Sequence, residues 1–252
     1  AVPAKERPYA QWQCTRVYPT SQPRQWRVIS VYASRTRQKV KRAAPGGEGL
    51  VIDHFDRQAV AHYLNRFTQA FENTKTPYPH TFFNDSYEVY KANWTPSLFD
   101  EFLKRRGYDL RDHLPELLDG GDGNKALHDY RETLSDLLYE NFTQQWVAWA
   151  HRNGVSVRNQ AHGSPANLLD LYAAVDIPEI EGFGRSEFGI RGLRRDPGMT
   201  LKNYSDVSML KYASSAAHVM GKPLTSSETL TWLTEHFRTS LSQMKPDIDL
   251  MF

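Results

Sequence analysis

The sequence predicts an α/β chain wound as a parallel (β/α)8 barrel of the TIM type, and three observations predict it. Short apolar runs alternate with stretches of helical periodicity along most of the chain. Four of the runs, at 80–88, 155–163, 175–181 and 223–228, end in polar tips, three of them carrying carboxylates. Helices lead into following strands through loops of a few residues, the mark of a repeated βα unit. In a parallel barrel such tips converge on one mouth, where catalytic side chains collect. About seven strands are expected where a closed barrel needs eight, so the barrel is expected to be incomplete within these residues.

Residues 1–25 are polar and dotted with proline and read as a surface lead-in; 26–252 read as the partial barrel. The first strand is predicted over 26–33, where Val28, Ile29, Val31 and Tyr32 form a nearly continuous apolar run suited to a strand buried on both faces. A long, mobile βα loop is expected over 34–49, holding Lys39, Lys41, Arg42 and Pro45-Gly46-Gly47. No GxxxxGK[ST] pattern follows the glycine pair, so it is not read as a phosphate cradle. A second short strand is predicted at 50–54, and helical spacing at Val60, Tyr63, Leu64, Phe67 and Phe71 follows it.

A strand at 80–84 comes next, then a helix with Thr95 as N-cap, Pro96 at its first position and Gly107 at its end. An Asp/Gly turn at 119–124 leads into the longest helix, about 125–152, which Gly154 caps immediately before a strand at 155–160. The remainder reads as a strand at 174–181, a Gly- and Arg-rich loop at 182–200 and an Ala-rich helix at 210–220 ended by Gly221. A strand at 223–228, a helix near 231–241 and a last strand at 247–252 complete the chain. That strand stops abruptly and the chain starts without Met or a signal peptide, so a processed or trimmed piece of a longer protein is expected.

Composition excludes several classes. With 31 basic and 29 acidic residues there is no nucleic-acid footprint. The lone Cys14 allows no internal disulfide and no multi-thiolate metal site. No run of eighteen apolar residues exists to span a membrane. HExxH and GxSxG are both missing, which leaves zinc proteolysis and serine esterase chemistry without support. Six Trp and thirteen Tyr serve either as core packing or as flat platforms for sugar rings.

Glu88 and Glu228 each follow an apolar strand and are flanked by small hydroxyl residues, Ser86 in one case and Ser226 and Ser227 in the other. Such neighbours orient a carboxylate without neutralising it. Hydrolysis of a glycoside needs a pair of this kind, one protonated and one ionised; two surface glutamates in salt links are the plain alternative. Asp176, Glu179 and Glu181 form a second cluster, with 179 and 181 on one side of a strand. Two such carboxylates share a proton or hold a calcium or magnesium ion, unless one simply binds Arg158 or Arg185. His162 serves either as a donor to a sugar hydroxyl or as a satisfied structural histidine.

The stretches that carry a wider resemblance are 40–49 (VKRAAPGGEG), 83–88 (FNDSYE) with Asn93-Trp94-Thr95, 105–110 (RRGYDL), 158–165 (RNQAHGSP), 176–181 (DIPEIE) and 227–229 (SET). Together and in this order they resemble glycoside hydrolase family 106, the α-L-rhamnosidases, from about residue 26 to the end. The resemblance implies a (β/α)8 barrel that removes terminal α-L-rhamnosyl residues with inversion, assisted by calcium touching the sugar hydroxyls. By motif, Glu88 corresponds to the general acid and Glu228 to the general base, with the two labels exchangeable. It places calcium at Glu179 or Glu181, and substrate contacts at Asp85, Trp94, Arg158, Asn159, His162 and Glu181. A carbohydrate partner and a secreted or periplasmic location follow from the same likeness. Family members are usually much longer. Two readings from other classes stand beside it: a non-catalytic carbohydrate-binding fragment gripping sugar through Trp94 and Tyr87, and a metal-dependent hydrolase using Glu179 and Glu181 on a phosphate or amide.

Overall fold

A computed structural model describes residues 11–21, 25–41, 43–121, 123–182, 207–231 and 239–252. The chain divides into two compact units, Ala1–Thr74 with Glu88–Trp146 and Lys75–Tyr87 with Val147–Phe252. Among the described residues no helix is long and apolar enough to cross a membrane.

The first unit opens with an antiparallel hairpin of β1 (Gln11–Pro19) and β2 (Trp26–Ala33), with Val17 opposite Val28. Residues 11–19, expected within a polar lead-in, are therefore a strand. Nor is β2 buried on both faces: Ile29 is 7% exposed but Val28 is 61% exposed, because a two-stranded ribbon covers only one side. The strand expected at 50–54 does not form. Leu50 makes one isolated bridge to Lys39, and the bonds Val40 N to Gly49 O (2.9 Å) and Val51 N to Gln38 O (3.0 Å) close the preceding loop on itself.

Asp56 Oδ1 then accepts from Gln58 N at 2.7 Å and starts α1 (Arg57–Thr74), which buries Val60 and Leu64. In α2 (Leu98–Arg106) Ser97 holds the N-cap position, and the expected cap Thr95 instead offers its carbonyl to Leu98 N at 3.1 Å. Gly107 ends the helix at φ 78°, the left-handed turn its lack of a Cβ permits. Phe99 and Phe102 of α2 join Leu110 in a core cluster. After α3 (Leu114–Asp119), Asn124 caps α4 (Lys125–Leu137) by accepting from Leu127 N at 2.9 Å. The expected long helix is continuous, widening into a π-turn at Leu138–Thr143 before α5 (Gln144–Arg152). Arg105 ties α2 to it through a fork on Glu140, at 2.8 and 2.7 Å.

The second unit holds a four-stranded parallel sheet, β3 (Thr81–Asn84), β4 (Ser156–Gln160), β5 (Ile177–Gly182) and β6 (Ser226–Thr229), paired in chain order. Its helices are α6 (Leu168–Ala173), α7 (Val207–Leu210), α8 (Tyr212–Val219) and α9 (Leu241–Met251). Buried Val157, Leu171, Tyr172, Ile180, Ala213 and Ala217 make the core beneath the sheet. The predicted barrel of about seven strands is thus not what the described residues show. They show an α/β fold with four parallel strands and a separate hairpin. The last expected strand, 247–252, lies in α9 instead. Its alternating Asp-Ile-Asp-Leu mimics a strand, but Gln243 and Asp247, four apart, are the residues buried, which is the helical period. Most of the expected loop at 182–200 and helix at 231–241 lie outside the described residues.

Candidate active site

The carboxyl ends of β3 to β6 bring polar tips together because the strands are parallel and in close register. Asn84 pairs with Asn159, Gln160 with Glu179, Glu179 with Ser226, and Glu181 with Glu228. Val157 of β4 and Ile180 of β5 are buried, whereas Phe83 of β3 is exposed and β6 carries no apolar residue. Asn159 (3% exposed), Gln160 (1%) and Glu179 (4%) are also deeply buried, and each therefore needs partners.

Those partners are specific. Asn84 Nδ2 donates to Asn159 Oδ1 at 2.7 Å, while Asp85 Oδ1 turns back to accept from Ser86 N at 2.7 Å. Arg158 stacks over the Phe83 ring at 4.2 Å and sets its Nε 3.2 Å from Glu179 Oε2. The same oxygen accepts a hydrogen bond from the Ser226 hydroxyl, and Glu179 Oε1 accepts from Gln160 Nε2 at 2.9 Å. Gln160 Nε2 also donates to Glu228 Oε2 at 2.8 Å, and Thr231 Oγ1 donates to Glu228 Oε1 at 2.9 Å. His162 Nε2 and Glu181 Oε2 lie 2.7 Å apart, both side chains nearly buried. Burial, with the charges of Glu179 and Glu181 adding to it, pushes the nearby Tyr172 phenol up to about 12.

The chain after β4 is fixed just as firmly. Tyr87 N donates to the His162 carbonyl at 3.1 Å, and Gly163 sits at φ 82° with the Tyr87 carbonyl where a Cβ would be. Only glycine fits there.

Several expectations change at this point. Two of the carboxylates have cationic partners, the plain alternative of the sequence: Glu179 has Arg158 and Glu88 has Lys41 Nζ at 2.7 Å, while Glu181 has the His162 imidazole beside it. Glu228 is the exception, held by neutral donors alone among the described residues. Asp176 does not join the cluster. It precedes β5, where it accepts from Val157 N at 2.7 Å and lies 2.8 Å from His151 Nε2. Trp94, expected beneath a sugar ring, packs edge-on against Phe99 at 4.8 Å in the core cluster of the first unit. Glu88 also belongs to the first unit, where Gln38 spans its backbone: Gln38 Nε2 donates to Glu88 O, and Gln38 Oε1 accepts from Tyr90 N at 2.8 Å.

Sequence reasoning passed over Gln160 and Gln38, and it assigned the Ser226 hydroxyl to orienting Glu228, whereas that hydroxyl donates to Glu179. Gln160 carried a signal, a polar residue at the end of a strand whose neighbours are buried. Gln38 carried none, since its contacts are about fifty positions downstream.

For a hard cation the donor set is uneven. Both Glu179 oxygens are taken by proton donors, one of them a guanidinium, which suits an anchored anion and not a calcium ligand. Glu181 keeps Oε1 without a partner among the described residues while His162 stands 2.7 Å from Oε2. Among the described residues, three ligating side chains converge in the first unit at His128, Asp129 and Glu132, but Asp129 is already engaged by Tyr108 and Lys125.

Comparison with known proteins gives consistent likenesses. The family model described as alpha-L-rhamnosidase, glycoside hydrolase family 106, matches residues 15–252. The solved structure of a rhamnosidase from Novosphingobium sp. PP1Y aligns with a TM-score of 0.68 and 28% identity, over 90% of this chain and 22% of that one. A curated protein of Formosa agariphila named "Putative beta-glucuronidase" is 28% identical over 216 residues, 82% of this chain and 17% of the relative. The chain therefore spans about a fifth of the length of the proteins it matches.

Proposed function

The chain belongs to the α-L-rhamnosidase family of glycoside hydrolases, and from that premise we propose that it carries the chemistry of an inverting α-L-rhamnosidase, with Glu88 as general acid and Glu228 as general base. The observation that carries the reading is the setting of Glu228. It stands at the carboxyl end of a parallel strand, with each oxygen accepting one hydrogen bond from a neutral donor. Such a carboxylate is aimed without being neutralised, which is what taking a proton from an attacking water requires.

Glu88 has the complementary task. As the acid it gives its proton to the departing glycosidic oxygen, and Lys41 stands where it balances the carboxylate that remains. Gln38 holds the backbone at Glu88 and Tyr90, so the carboxyl is carried on a pinned segment. Arg158 and Asn159 lie near the carboxyl end of β4 and supply further polar groups for sugar hydroxyls, with Asp85 just past the end of the paired strand β3. Calcium, when bound, would supply a fixed positive charge for those hydroxyls, and Glu181 is the carboxylate that would hold it. The carbohydrate taken is then a glycan or glycoside ending in α-L-rhamnose.

The test is the stereochemistry of the first product, followed by proton NMR with the full-length protein and an aryl α-L-rhamnoside. β-L-Rhamnose appearing before mutarotation supports the reading; α-L-rhamnose appearing first means retention and contradicts it. An aryl β-glucuronide belongs in the same experiment, because one relative carries that name. Tight calorimetric binding of rhamnose with no turnover of either glycoside would favour the non-catalytic alternative. Loss of turnover with EDTA and its return with calcium is the expected metal response.

A further inference from the structure

We propose that Gln160 is the positioning residue for Glu228, the buried amide through which the sheet aims the water-activating carboxylate; the inference rests on the assignment of Glu228 made above. Gln160 is the last residue of β4 and is 1% exposed. Its single Nε2 donates to two carboxylates on two successive strands, Glu179 Oε1 at 2.9 Å and Glu228 Oε2 at 2.8 Å. Glu179 is itself fixed at its other oxygen by Arg158 Nε at 3.2 Å and by the Ser226 hydroxyl. A chain of contacts thus runs Arg158, Glu179, Gln160, Glu228, with its charged anchor at one end and the carboxylate to be aimed at the other.

The amide can point only one way. Both acceptors are carboxylates, so turning the group over would set Oε1 against two anions with no proton between them. The orientation leaves Gln160 Oε1 buried and without a partner among the described residues, a cost of about 1–3 kcal/mol by the usual measure of an unmet buried acceptor. An apolar side chain at this position would avoid that cost. The fold accepts it in exchange for two N–H groups placed between two like charges.

The choice of an amide also has chemical content. Glu179 has Arg158 to balance it, so its charge is settled. Glu228 receives neutral donors from Gln160 and Thr231 and keeps its charge available for a proton. A lysine or arginine at position 160 would orient Glu228 equally well but would compete for that charge. Gln160 reaches no reacting atom; it acts through Glu228.

The test uses the full-length protein and an aryl α-L-rhamnoside. Gln160→Met, close in volume and lacking the N–H groups, is expected to lower kcat about 100-fold, with KM and the calorimetric affinity for free rhamnose within about threefold of the parent. Added to Glu228→Gln, the same change is expected to cost less than about threefold more, because the two residues act as one unit. Gln160→Asn keeps the amide but shortens its reach, and gives the same readout if the methionine variant does not fold. A kcat near the parent, losses that multiply with that of Glu228→Gln, or failure of both Gln160 variants to fold each overturn the positioning role and leave the assignment of Glu228 intact. Near-parent turnover by Glu228→Gln itself would instead remove that assignment, and this inference with it.

Discussion

His162 and Glu181 face each other across neighbouring strand tips with Nε2 and Oε2 2.7 Å apart, their side chains 13% and 8% exposed. A contact so sheltered is structural, because neither group can readily turn to water for a replacement partner. His162→Ala is expected to lower stability by about 1–3 kcal/mol, the usual cost of leaving a buried polar group unmet. Thermal unfolding followed by circular dichroism checks it. An unchanged melting temperature would mean that Glu181 is held by other groups.

Gly163 gives a sharper steric prediction. Its φ of 82° and the Tyr87 carbonyl beside it leave no room for a side chain. Gly163→Ala is expected to destabilise the fold by about 1–3 kcal/mol and to displace the tip that leads into Glu88. Turnover of an aryl rhamnoside by the folded variant should fall at least tenfold, about the size of effect that misplacement near a reacting group produces. Parent-like turnover and melting would show that the tip yields without consequence.

The first unit carries a pH signature at His54, whose imidazole burial holds down to about 4 from its ordinary 6.5. Its edge-on contact with Phe142, at 4.7 Å, places it within an apolar setting. Above 6.5 the histidine is neutral in both folded and unfolded chains and costs nothing. As pH falls from 6.5 towards 4 the unfolded chain takes up a proton that the folded one refuses, and stability is lost; below about 4 the loss is complete, at most about 3 kcal/mol. His54→Gln should flatten that part of the curve. Comparing the two proteins cancels Asp53, the neighbouring carboxyl that burial raises. Parallel stability curves for parent and variant between pH 7 and 4 would contradict the assignment.

Much of the fold was legible in the residues, and the losses have physical causes. The parallel strands of the second unit were expected at 80–84, 155–160, 174–181 and 223–228 from short runs between a helix end and a polar tip, and all four form, although β6 itself, Ser226–Thr229, carries no apolar residue. Gly107, the turn at 119–124 and the long helix through 125–152 were equally plain, being local signals of backbone conformation. The strand at 50–54 was not real. Its Leu-Val-Ile run satisfies strand propensity, but the backbone partners it found lie in the loop just before it. The strand at 247–252 failed because a six-residue alternation cannot be told from one face of a helix without knowing which residues are buried. At the site, the carboxylates could be picked out, and Arg158 was one of the two arginines expected to bind one of them, as it does Glu179; the other partners could not. Gln160, His162 and Ser226 reach the carboxylates across strand pairings that no local spacing encodes.

The central claim is that Glu88 and Glu228 carry the hydrolysis, and the most direct measurement is kcat for Glu88→Gln and Glu228→Gln in the full-length protein on an activated aryl α-L-rhamnoside. Each variant should fold as the parent does and lose about 100-fold or more in turnover, the usual contribution of a general acid or base. A folded Glu228→Gln enzyme that turns over within a few-fold of the parent would contradict the account.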